Sequence, residues 1–115
     1  MTDVNRREAL QDLLHLRKPV TAAARLLKSF PWDSDHPLVT LTRGDARNAL
    51  DRYLDGAIST EELEQWANAI EGRDDIGFES GSEELLKDFV FQISTPEITR
   101  RLGKAVATEW RERLT

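Results

Sequence analysis

The twelve residues Asp51 to Glu62 carry the spacing closest to a metal site. Aligned on Gly56, they mimic the calcium-binding loop of an EF-hand, with Asp51 first, Asp55 fifth, Gly56 sixth, Ile58 eighth, Ser59 ninth and Glu62 twelfth. Such a loop would wrap a hard cation in oxygen ligands. The third position breaks the pattern, because Tyr53 offers neither carboxylate nor amide. Tyr53 and Leu54 also belong to the apolar stripe of a preceding helix, so Asp51 should itself be helical. A simpler account covers every matched residue: Gly56 ends a helix, Ile58 packs inward, and Ser59-x-x-Glu62 is a capping box that opens the next helix. The expectation is helix capping, with no metal and no cofactor.

Other chemistry-bearing residues are sparse. Asp33, Asp35 and His36 could ligate a metal, but within a loop bounded by Pro31 and Pro37 such residues make turn hydrogen bonds. The other histidine, His15, is remote in sequence. No Ser–His–Asp pattern and no glycine-rich phosphate loop occurs. Asp74 and Asp75 could serve acid–base chemistry, yet adjacent acids in a loop flanked by glycine are usually just solvated. A DNA-reading helix–turn–helix could be drawn over Ala46 to Ile70, but its second helix would begin with Glu61, Glu62 and Glu64. Phosphate neutralisation supplies most non-specific DNA affinity, and these carboxylates would repel it. No catalytic residue is expected, and no nucleic acid.

The elements that position these residues follow from apolar periodicity. A first helix is expected from about Asp3 to Arg17, presenting Leu10, Leu13 and Leu14 and ending before Pro19. Val20, Ala23, Ala24, Leu27 and Phe30 form a second helical stripe, stopped by Pro31. Leu38 to Leu41 is extended and too short for a sheet on its own. Thr42, with Asp45 three residues on, caps a third helix whose buried face is Ala46, Ala49, Leu50, Tyr53 and Leu54. A fourth begins after Ser59 or Thr60, carries Leu63, Trp66, Ala67 and Ile70, and closes at Gly72. In the loop that follows, Ile76 and Phe78 should tuck inward. A fifth helix starts at Ser82 and presents Leu85, Leu86, Phe89, Val90 and Ile93 up to Pro96. A last one, near Lys104 to Leu114, offers Val106, Trp110 and Leu114. Trp66 and Trp110 are expected in the core; Trp32, between a proline and acidic turn residues, either covers the core, the favoured reading, or stands exposed. The fold class is all-α, a single compact domain of about six short helices over residues 1–115, with strand content near zero.

A chain of 115 residues suits one domain and can bury a core without staples. The absence of cysteine excludes disulfides and thiolate chemistry. No apolar run approaches a membrane span and no secretory leader is recognisable, so a cytoplasmic and bacterial setting is expected, with no membrane partner. Charge is the informative feature. Thr60 to Phe91 holds ten acids (Glu61, Glu62, Glu64, Glu71, Asp74, Asp75, Glu79, Glu83, Glu84 and Asp88) against Arg73 and Lys87. That segment carries −8, while the remainder carries +3. Segregated charge of this kind governs partner choice and encounter rate, not fold.

Phe30-Pro31-Trp32-Asp33-Ser34-Asp35, the run Thr42 to Trp66 and the run Ala67 to Ile76 together resemble a family of small uncharacterised bacterial proteins. Within them, Arg52 to Ala67 (RYLDGAISTEELEQWA) also resembles a stretch of colicin D-type and contact-dependent-inhibition immunity proteins. That second resemblance implies an acidic helical protein that blocks a basic nuclease toxin by surface complementarity.

The expected function is therefore an acidic protein-binding module with a basic protein partner. Its expected face centres on the loop Arg73 to Gly81, with Ile76 or Phe78 as apolar anchors and Asp74, Asp75 and Glu79 around them. Glu61, Glu64, Glu71, Glu83 and Glu84 form a steering rim. The alternative is a structural helical protein, or a homo-oligomer, whose acidic surface serves only solubility.

Overall fold

Residues 2–115 are described by a computed structural model, in which the helical stripes become the buried faces of six helices. These are α1 (Thr2–Leu14), α2 (Val20–Leu27), α3 (Arg43–Leu54), α4 (Thr60–Ile70), α5 (Glu83–Ser94) and α6 (Lys104–Arg113). Helix α2 packs on both α1 and α4, α4 packs on α5, and α3 on α6. The Cα radius of gyration is 13.3 Å, about what a compact chain of this length should have. The fold is all-α.

The cores of these contacts are aromatic. Trp66 and Trp110 both face inward, as expected, and Phe89 sits between them with ring centroids 6.1 and 5.4 Å away. These separations suit tilted and edge-on contacts, which add to the burial of large apolar surfaces. The Trp66 indole N–H is satisfied inside the core by the Leu13 carbonyl at 2.9 Å, which ties α4 to the end of α1.

Both expected capping boxes form. Thr42 Oγ1 accepts the Asp45 amide at 3.0 Å and Asp45 Oδ2 accepts the Thr42 amide at 3.1 Å. At the start of α4, Ser59 Oγ accepts the Glu62 amide at 3.1 Å and Glu62 Oε1 accepts the Ser59 amide at 2.8 Å. Gly56 adopts φ +83° just past α3, a left-handed conformation that costs glycine little. Asp51 lies within α3 and pairs with Arg111. The twelve residues that mimic a calcium loop are thus one helix end, one cap and one helix start.

Two expectations about the elements are corrected. Helix α1 ends at Leu14 rather than Arg17, because Leu16 turns left-handed at φ +53° and lets the Arg17 amide close on the Asp12 carbonyl at 3.0 Å. Leu16 holds this uncommon conformation with its side chain buried. Helix α5 opens just after Ser82, as expected, and there the Glu83 carboxylate accepts the Gly81 amide at 2.9 Å. Second, the loop expected after α4 holds a strand, which pairs with the extended segment. β1 (Val39–Leu41) pairs in parallel with β2 (Ile76–Phe78), Val39 opposite Ile76 and Leu41 opposite Phe78. The intervening α3 and α4 make the crossover that a parallel pair requires. No helix among the described residues is long and apolar enough to cross a membrane.

Candidate functional site

The turn that leads from α4 into β2 begins at Gly72, whose φ of +79° reverses the chain at little cost. It delivers Asp75 to the interior, where the side chain is 0% exposed. A buried carboxylate needs both opposite charge and hydrogen bonds to be tolerated. Asp75 has them from two arginines. Arg73 Nε and Nη2 donate to its two oxygens at 2.9 and 3.0 Å, and Arg6 Nε, from α1, donates to Oδ2 at 2.9 Å.

The same guanidinium groups reach further. Arg6 Nη2 donates to the Asp33 carbonyl at 2.7 Å, and Arg73 Nη2 to the Pro31 carbonyl at 3.0 Å. The Asp74 amide donates to the Trp32 carbonyl at 2.9 Å. Beyond the loop, the Leu38 and Val39 amides donate to the Asp75 carbonyl at 2.8 and 3.3 Å. The proline-bounded loop is therefore stapled at both ends to the turn after α4. Its backbone faces inward onto the arginines, and its tryptophan faces outward.

Trp32 is 62% exposed, so the expectation that it covers the core is corrected. It walls a groove of about 590 Å³ whose base is Ala24 and Leu27 of α2 and Ala69 of α4. Gln65, Asn68, Glu71 and Lys28 stand at the rim. On the other side of the turn lies a second groove of about 450 Å³, between the turn and α5. Phe78, Val90 and Phe91 give it apolar surface, and Glu71, Asp74, Glu84 and Asp88 give it negative charge. The two grooves share Glu71, Gly72 and Arg73. All four of those carboxylates are exposed, and none makes an ion pair among the described residues. Lys87 is the one base of α5, its Nζ 5.9 Å from the centre of the Phe78 ring.

The expected face is thus redrawn. Glu71, Asp74, Phe78 and Glu84 come together around the second groove. Asp75 does not belong to any surface rim: it is buried, and its charge is already met by Arg6 and Arg73. Ile76 is 3% exposed in β2 and is core, which removes it as an anchor while agreeing with its inward placement. Glu79 turns away as well, its carboxylate accepting the Arg43 amide at 2.7 Å at the start of α3, where a helix dipole favours negative charge. Glu83 is exposed but engaged with the Gly81 amide. Glu61 is exposed on α4 and lines neither groove, and Glu64 borders a separate hollow with Pro96 and Leu102.

Trp32, Asp88, Lys87 and Phe91 complete the face without having been singled out for it. Phe91 is 47% exposed. Its signal was present in the pattern, because it falls off the Leu86–Phe89–Val90–Ile93 stripe of α5 and so cannot share that buried face. Asp88 follows Glu84 by four residues and shares its side of the helix. Comparison with protein-family models, curated proteins and solved structures finds no match to this chain.

Proposed function

We propose that the chain is a protein-binding module, without catalytic role, whose face around Glu71–Asp74 docks a basic segment of a partner protein. The observation that carries this reading is the pairing of two adjoining grooves, each with an exposed aromatic ring, across a turn bordered by four exposed carboxylates. Aromatic residues on rigid backbone supply contact area at low entropic cost and dominate interface energetics. Exposed carboxylates around them speed encounter with a positive surface and reject a negative one. The buried arginine–aspartate clamp holds the two parts of the face in register before any partner arrives, which lowers the cost of ordering on binding. The resemblance of Arg52 to Ala67 to immunity proteins points to the same partner class, a basic toxin or nuclease met in a bacterial cytoplasm.

The test compares two charge reversals of equal size. Asp74→Lys/Asp88→Lys alters the face; Glu97→Lys/Glu112→Lys alters exposed positions that line neither groove. Wild type and the distal variant should retain the same basic protein from lysate of the native host, with retention that weakens as salt rises. The proximal variant should lose it. Equal loss in both variants would reduce the effect to net charge, and equal retention would refute the docking face.

A further inference from the structure

Resting on the docking-face reading, we infer that the groove beside Trp32 is a slot for an arginine side chain of the partner. Its base is shallow and aliphatic, Ala24 and Leu27 from one helix and Ala69 from the other. That surface suits the methylene stem of a long side chain, which gains by lying on apolar ground while its charged head stays at the mouth. The wall is the exposed Trp32 ring, the aromatic surface that attracts cations most strongly. Glu71 stands at the rim, exposed and without an ion pair among the described residues, where it can accept from a guanidinium.

The remaining charges decide between occupants. Arg73 also borders the slot, but its Nε and Nη2 are engaged by Asp75 and the Pro31 carbonyl, so it offers little to an incoming anion. Lys28 is the other cation at the rim, and it disfavours a second positive charge beside it. The guanidinium therefore settles toward Glu71. A purely apolar occupant would cover Glu71 and leave it without a partner, which is costly. Arginine is preferred to lysine because its plane stacks on indole while its edge meets the carboxylate.

The experiment is an amide-resolved NMR titration of the ¹⁵N-labelled full chain with two probe peptides. One is acetyl-Leu-Arg-Leu-amide; the other replaces arginine by citrulline, its neutral isostere. The three indole N–H signals report each tryptophan separately, and Trp66 and Trp110 serve as internal controls because they are buried. The arginine peptide should move the Trp32 indole and the Asn68 side-chain amide and bind about fivefold more tightly than the citrulline peptide. Glu71→Gln should weaken the arginine peptide about threefold, and Lys28→Glu should strengthen it by a similar factor. Equal affinity for the two peptides, or an unmoved Trp32 indole, overturns the slot. If the arginine peptide shifts Asp74 and Phe91 but not Trp32, the slot fails and the docking face stands. If it shifts neither groove, both fail.

Discussion

The Asp74 amide donates to the Trp32 carbonyl across 2.9 Å, which ties the loop that carries the exposed tryptophan directly to the turn that carries the exposed acids. The side chains of these two residues open on opposite sides of the turn, one on each groove. What holds the joint closed lies beneath it. Asp75, directly after Asp74 in the chain, draws Arg6 and Arg73 onto the loop carbonyls.

That clamp makes a stability prediction. Asp75→Asn removes the only carboxylate between two guanidinium groups and leaves them in a nearly dry site, so it should cost about 3–5 kcal/mol. Arg6→Gln leaves the Arg73 pair intact and should cost less, about 1.5–3 kcal/mol. Urea titrations of the three proteins give both values. An Asp75→Asn variant as stable as wild type would mean the cluster contributes nothing to the fold.

The capping box at Ser59 predicts a second outcome. Ser59→Ala removes the acceptor for the Glu62 amide and should lower stability by about 1 kcal/mol. Calcium should leave the melting temperature of wild type unchanged, since Glu62 is engaged with the Ser59 amide. A bound ion at a hundredfold excess over its Kd would stabilise by about 2.7 kcal/mol. A rise with calcium that magnesium does not reproduce at equal ionic strength would contradict the capping account.

Trp32→Ala should separate binding from folding. The side chain is mostly in water, so its loss should change stability by no more than about 0.5 kcal/mol. As an anchor of the docking face it should shorten the life of the complex by about thirtyfold, the kinetic equivalent of about 2 kcal/mol. Thermal melts and dissociation kinetics measure the two effects. A large stability loss with unchanged dissociation would return Trp32 to a structural role.

A fourth prediction concerns the segment before α6. Arg100 donates both Nη groups to Glu109 at 2.7 and 3.1 Å. Those hydrogen bonds, and secondarily the charge of Arg100, hold the Glu109 carboxyl below its ordinary range. A carboxyl lowered on folding contributes stability that is present above its ordinary pKa and lost as pH falls through the lowered value. The melting temperatures of wild type and Glu109→Gln should therefore differ slightly at neutral pH and converge in acid. A gap that persists in acid would show that the pair has no titrating contribution.

How much of this the sequence made legible follows from the range of each interaction. The stripes of α2 to α5 are local, and so are the boxes at Thr42 and Ser59, whose partners are three residues apart; all of these could be read directly. The pairing of β1 with β2 could not, because two three-residue strands carry no alternation long enough to identify each other. Asp75 looked like Asp74 for the same reason. The arginine that helps bury it, Arg6, lies 69 residues away on another helix, and nothing in the loop itself distinguishes a clamped acid from a solvated one. Trp32 is hidden from a local reading in the same way. Aromatic residues are usually buried, and only the long-range staple of its loop turns this one outward. The acidic segment was visible as composition, but which of its acids share a surface depended on the fold.

The docking face is tested most directly by photocrosslinking. The photoreactive residue p-benzoylphenylalanine is placed in turn at Trp32, at Phe91 and at Ile98, which is 70% exposed but lines neither groove. In lysate of the native host, the substitutions at Trp32 and Phe91 should capture one and the same basic protein, while that at Ile98 should not. Equal capture from all three positions, or capture from Ile98 alone, would contradict the account.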